Sequence, residues 1–248
     1  MILRSYRILF PIFLFFSYTE VLSAPDLNGI WQLTRGIPNI SERLYSPKNL
    51  TEEGNDRLDV FNIFEDDLNP LCIPSGIGRL WDEPDTVWRV DQYEDRVEIH
   101  YEMFDIHRII MLNQDGHPLV FTPSARNLDN HFMPTVGHSI GWYEGDTLVI
   151  DTLGASEGIV STEARGGGSE ELSISDTGSV RANKSTWVPQ SEAMRSIERI
   201  YRDDNFMAVD IVYFDSITMM SPQEVRYRYS PSSFSFSVYG CVPEEVAH

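Results

Sequence analysis

Apolar and polar side chains alternate with period two along most of this chain, and the alternation breaks at short polar clusters. From Thr86 to Phe121 the breaks at "EDR", "FD" and "NQDGHP" separate successive β-rich runs, which predicts an antiparallel meander. A second meander is predicted over 193–240, broken at "RDDN", "DSITMMSP" and "SPSS". "DLNGIWQLTR" reads as an opening strand, and Gly137–Asp151 as a hairpin turning at Glu144-Gly145-Asp146. A single short helix is expected within 46–64, with Asn49 or Thr51 as its cap. The Gly-, Ser- and Glu-rich stretch 154–178 reads as a long exposed loop. The pattern therefore predicts an all-β chain of about nine or ten strands and one short helix, without internal repeats.

Alternation also assigns faces. Val97, Ile99, Tyr101 and Met103 share one side, as do Ile106, Arg108, Ile110 and Leu112, so Arg108 is a charge on an apolar face. His138, Ile140 and Trp142 group together, as do Met207, Val209, Ile211 and Tyr213, and then Val225, Tyr227 and Tyr229. Faces rich in aromatic rings with a few polar heads suit a closed, lipocalin-like antiparallel barrel holding one small ligand. The Gly-x-Trp of "NGIWQL" adds to this, since a Trp on the first strand plugs one end of such barrels.

The first 23 residues stand apart from this pattern. Arg4 and Arg7 precede the apolar run "ILFPIFLFF", followed by small residues, the plan of a secretory signal peptide cleaved after Ser23. An uncleaved anchor is the competing reading, although the run is short for a membrane span. Residues 24–248 then form one β-barrel domain with 17 basic and 37 acidic side chains. A surface so acidic disfavours nucleic acid and anionic membranes as partners. Small apolar molecules are the expected partners, with no membrane insertion after cleavage, and a homodimer is compatible with the sequence.

Secretion changes the reading of the two cysteines, Cys72 and Cys241. A disulfide between them is the natural expectation in an oxidising compartment, with two buried thiols as the alternative. Three Asn-x-Ser/Thr sequons, at Asn39, Asn49 and Asn183, mark glycosylation sites and a eukaryotic secretory-pathway protein.

Familiar catalytic signatures do not account for this sequence: no P-loop or His-Glu-x-x-His occurs, and the Gly-x-Ser-x-Gly of Gly137–Gly141 falls in the predicted hairpin and not at a strand-to-helix elbow. No metal and no cofactor are expected; His100 and His107 with nearby carboxylates are the one grouping offering metal ligands. The remaining candidates are polar heads among aromatic walls. His138 suits a general acid or base, or else a histidine bonded to backbone at the barrel mouth. Arg108 suits an enolate or phenolate oxygen, or else a structural ion pair with Asp91 or Glu198. Tyr101, Tyr213 and Tyr227 are hydrogen-bond donors to a ligand, or else barrel lining.

The hairpin segment "SIGWYEGDTLVIDTLG" resembles a G-x-S-x-G-x-W-E-G-D-T-L-V-V-D-T-x-G block of a large group of secreted bacterial proteins, with Tyr143 intruding before Glu144. The resemblance extends to "DLNGIW" (Asp26–Trp31), "NPLCIPSGIGR" (Asn69–Arg79) and "ERIYR" (Glu198–Arg202). With a signal peptide and sequons, the chain is similar to the fungal branch, which includes the hetero-Diels–Alderases of tropolonic sesquiterpenoid biosynthesis. That resemblance implies dehydration of a hydroxymethyl tropolone or phenol to an o-quinone methide, then its stereoselective cycloaddition to a humulene-type alkene. Such chemistry needs an acid at the leaving hydroxyl, support for the tropolonate oxygen, and two apolar partners held with water excluded. On this reading His138 or Tyr101 serves the leaving hydroxyl and Arg108 the tropolone oxygens. Trp88, Met103, Trp142, Tyr213 and Tyr227 then hold substrate, and the hairpin is scaffold. The competing expectations are a lipocalin-like carrier of an apolar metabolite and a cofactor-free dehydratase or cyclase acting on another substrate.

Overall fold

Strand-forming residues in alternation produce strands here, and their register closes them into a barrel. The computed structural model describes residues 24–33, 49–62, 65–82, 86–161, 172–174, 180–182 and 187–243. Its strands are β1 (Gly29–Leu33), β2 (Val87–Gln92), β3 (Arg96–Tyr101), β4 (Ile106–Leu112), β5 (Ala125–Arg126), β6 (His138–Glu144) and β7 (Thr147–Leu153). Then follow β8 (Gly158–Ser161), β9 (Leu172–Ile174), β10 (Val180–Ala182), β11 (Trp187–Gln190), β12 (Arg195–Asp203), β13 (Phe206–Phe214) and β14 (Gln223–Pro231). The order β3-β2-β1-β14-β13-β12-β7-β6-β4 returns to β3 through the β3–β4 pairing, giving a closed nine-stranded barrel. Closure leaves no open edge along that circuit.

One pairing departs from the expected antiparallel barrel. Strand β4 runs parallel to β6, Met111 facing Ile140. The chain between them covers 113–137 and carries β5, so it crosses over instead of turning as a hairpin, which is what a parallel neighbour requires. The barrel is therefore mixed.

The hairpin β6–β7 forms as expected, with Glu144 opposite Thr147 and Gly145 at φ +65° as the first of its two loop residues. That positive φ costs a side-chain-bearing residue energy and costs glycine none. The helix α1 (Glu52–Val60) also forms, and Thr51 is its cap: its hydroxyl accepts from Gly54 N at 3.0 Å. Among the described residues it is the one α-helix, and no helix there is long and apolar enough to cross a membrane.

Three expectations fail. The runs after "NQDGHP" (119–121) and "SPSS" (234–240), expected as strands, form none, and Val120, Phe234 and Val238 are exposed. The stretch read as a loop, 154–178, contains β8 and β9, which pair with β11 and β10. Periodicity reports a face, and a strand also needs a neighbour to take its hydrogen bonds.

The disulfide joins Cys72 to Cys241, 169 residues apart, so the C-terminal segment is strapped across the barrel. The Asp105 carboxylate holds the same strap, accepting from the backbone N–H of Tyr239 at 2.7 Å and Gly240 at 2.9 Å. The expected signal segment (1–23) and the sequons at Asn39 and Asn183 lie outside the described residues. Asn49 is exposed, its amide 3.4 Å from Ser221 Oγ.

Candidate functional site

The barrel interior is occupied by the protein's own side chains. Residues 77–82 run inward as a plug, with Leu80, Trp81 and Asp82 fully buried. Trp81 packs against Tyr101, Tyr229 and Trp88 at ring separations of 5.6, 6.0 and 6.3 Å. Tyr229 Oη donates to Trp81 O at 2.7 Å, and Trp88 Nε1 donates to Leu80 O at 2.9 Å, which fixes the plug to β14 and β2. Trp31 is buried at one end beneath the Arg202 guanidinium, 4.7 Å from its ring. The expectation of a ligand held inside the barrel is thereby corrected: no sequence period announces that a 3₁₀ segment between strands will enter the barrel.

Arg108 sits at the centre of this filling, completely buried. Its fork meets Glu198 at 2.9 and 2.8 Å, and its remaining N–H groups donate to Ser139 Oγ and Thr152 Oγ1, each at 2.9 Å. Trp81 Nε1 donates to the same carboxylate at 3.2 Å. Burial alone would depress the guanidinium; the Glu198 charge, Tyr101 and the hydrogen bonds to them together outweigh this and keep it ionised. Of the two roles expected for Arg108, the structural ion pair with Glu198 is the one its contacts describe. Burial pushes the Tyr101 and Tyr213 hydroxyls up, and the Tyr213 Oη has no hydrogen-bond partner among the described residues. Tyr101, Tyr213, Tyr227, Trp88 and Met103 are all buried in this core, so five of the expected pocket residues are brought together with Arg108, but as packing.

His138 and Trp142 are not with them. Ser139, between them in sequence, points inward to Arg108, so His138 and Trp142 face the outside of the wall. Their shared face was expected to be the inner one; the flanking Ile140 misleads because it too is buried, on the outer side. Outside, His138 Nδ1 lies 2.9 Å from His117 Nδ1, and His117 Nε2 lies 3.6 Å from Asp151, which Arg195 clamps at 2.9 and 2.8 Å. A bond between two Nδ1 atoms needs one protonated and one bare, and burial accordingly lowers both pKa values. Trp142 Nε1 donates to Glu144 at 3.0 Å.

A cleft of about 380 Å³ opens instead beside α1. Val60, Phe61, Leu68, Ile159 and Pro189 supply apolar walls, and Arg57 and Glu157 meet at 2.6 Å at the rim. The sequence pattern does not single out these residues, because α1, the 66–75 turn, β8 and β11 converge only in three dimensions. The floor is built by close approach. Ile159 N donates to Ser75 O at 2.8 Å, and a Cβ on Gly158 would stand 2.0 Å from that oxygen, so only glycine fits. Gln190 ties the floor to the plug, accepting from Ile77 N at 3.0 Å and donating to Ser156 O at 2.6 Å. Phe61 stands edge-on to the buried Trp187, 5.5 Å away.

Among the described residues the one grouping with metal-ligand geometry is Glu98, His100 and His107, on the outer wall. Comparison with known proteins returned no matching family model, no matching curated protein and no matching solved structure.

Proposed function

We propose that this protein is a cofactor-independent hetero-Diels–Alderase that acts on small apolar substrates in the cleft between α1, β8 and β11. The observation that carries the reading is a cleft with apolar walls and a guanidinium at its rim, at the lower end of the size range of small-molecule sites. The sequence resemblance supplies the reaction class. Cycloaddition of an o-quinone methide to an alkene forms one C–C and one C–O bond and releases nothing. The protein's part is orientation and exclusion of water, to which Phe61, Leu68 and Ile159 are suited. The preceding loss of water starts from the tropolonate, whose ring-oxygen charge Arg57 is positioned to meet, and ends in a neutral o-quinone methide as the hydroxide leaves with a proton from solvent. The cleft replaces Arg108 and His138 as the centre of this reading, because those two lie on opposite sides of the wall. The packed interior weighs against a carrier that holds its ligand inside the barrel. The disulfide fits the secretory pathway, an oxidising compartment.

The test incubates the purified glycoprotein with a hydroxymethyl tropolone and a hydroxylated humulene, with chiral analysis of the adducts. One stereoisomer, formed faster than the uncatalysed mixture and lost in Leu68→Trp, supports the proposal. A mixture identical to the protein-free control overturns it.

A further inference from the structure

We infer that Glu98, His100 and His107 form a binding site for a divalent transition-metal ion on the outer wall of the barrel, with Asp91 at its edge. The proposal departs from the expectation of no metal and is independent of the cleft.

Register creates the grouping. His100 on β3 faces His107 on β4 directly across the ladder, and Asp91 on β2 faces Glu98 on β3. Opposed residues of an antiparallel pair bring their Cβ atoms to about 4.5–5.5 Å, so two imidazoles in this register are held together by backbone hydrogen bonds alone. The rings stack 4.1 Å apart and 10° from parallel. Glu98 Oε2 lies 3.0 Å from His107 Nε2 and 3.7 Å from His100 Nε2, which in turn is 3.4 Å from Asp91 Oδ2. One ligand atom from each of Glu98, His100 and His107 falls within 4.8 Å of the others.

His100 Nε2 makes the argument specific. It is buried and has no hydrogen-bond partner among the described residues, though it is aimed at two carboxylates. A buried polar nitrogen left unbonded is unfavourable, and coordination would satisfy it. Two imidazoles and one carboxylate are a donor set for Zn²⁺, Cu²⁺, Ni²⁺ or Fe²⁺, and not for Ca²⁺ or Mg²⁺. Bonds of about 2.0–2.1 Å to nitrogen require the two rings to tilt together at their Nε2 edges, and the partly exposed His107 has room to do so.

The Glu98 carboxylate is already oriented from behind. Arg96 Nε holds it by its other oxygen, Oε1, at 2.6 Å, leaving Oε2 towards the histidines. Arg89 Nε holds Asp91 at 2.8 Å through Oδ2, the oxygen that also faces His100. Supports of this kind fix ligating carboxylates in metal sites. Phe236 of the C-terminal strap stands edge-on over His100, 6.1 Å away, and limits solvent on that side. The acidic surface raises the local concentration of cations.

The test strips the full-length protein with chelator and titrates Zn²⁺ by calorimetry, then repeats it with Co²⁺ read by its visible absorption. One equivalent per chain and a tetrahedral-type Co²⁺ band are expected. His107→Ala should weaken Zn²⁺ binding more than about tenfold, since loss of an outer support alone costs about 10–100-fold. His131→Ala, at an exposed histidine elsewhere, should leave it unchanged. Zn²⁺ should also protect His100 and His107 of the unmutated protein from diethylpyrocarbonate, read by peptide mass. No stoichiometric binding, equal binding by His107→Ala, or no protection would each overturn the assignment.

Discussion

Arg108 and Glu198 meet through two parallel hydrogen bonds, 2.9 and 2.8 Å long, in the middle of the barrel, 90 residues apart in sequence and both wholly buried. Each charge is tolerable there only because the other is present. Glu198→Gln should lower stability by about 3–5 kcal/mol, because an uncompensated guanidinium remains in the core. Urea unfolding measures this. The double replacement Arg108→Met with Glu198→Leu should recover much of the loss, and an equal loss in both would show that the charges do not depend on one another.

Trp81 fills the space in which a barrel of this size would otherwise hold a ligand, and it is 0 % exposed. Trp81→Ala should cost about 3–5 kcal/mol and lower the melting temperature by roughly 10 °C, whereas Trp81→Phe should cost much less. The alanine variant should also bind a small apolar dye that the parent excludes. A melting temperature unchanged by the alanine substitution would mean that the plug is not part of the cooperative core.

Acid should destabilise the protein through its histidines. Burial, helped by the His107 and Arg89 charges, lowers His100 from 6.5 to about 4, and burial lowers His117 and His138 in the same direction. Below about pH 6.5 the unfolded chain therefore takes up protons that the folded chain refuses, so stability falls as pH drops towards 4. The urea midpoint should be lower at pH 5 than at pH 7.5. His100→Asn should flatten that dependence; an unchanged slope would remove His100 from the explanation.

The strap should loosen when its covalent tie is cut. Closing a 169-residue loop is worth about 5 kcal/mol in the loop-entropy model, and Cys72→Ser with Cys241→Ser should lose up to that amount. Limited proteolysis should then cut first near Val238 and Tyr239, which are already exposed. Cleavage elsewhere before the strap would show that Asp105 alone holds it down.

The all-β class, the hairpin with Gly145 at its turn, the helix capped by Thr51 and the pairing of Cys72 with Cys241 were all legible in the sequence. Each depends on neighbours a few residues away or, for the cysteines, on the absence of any other partner. The inward direction of Tyr101, Arg108, Tyr213 and Tyr227 was legible for the same reason, since period two fixes relative faces within one strand. His138 shows the limit. Its strand is covered on both sides, so alternation assigned it a companion set without saying which set faced in.

By itself, then, the sequence determined the all-β class, the hairpin turn and which side chains share a face within a strand, because these follow from local backbone geometry. Only the tertiary structure decided that β4 lies parallel to β6, that Trp81 enters the barrel, and that Arg108 spends its fork on Glu198. It alone brings α1, β8 and β11 around a cleft and sets His100 opposite His107. These depend on where distant segments meet, and that is chosen by packing the whole core at once, for which no short stretch carries a signal.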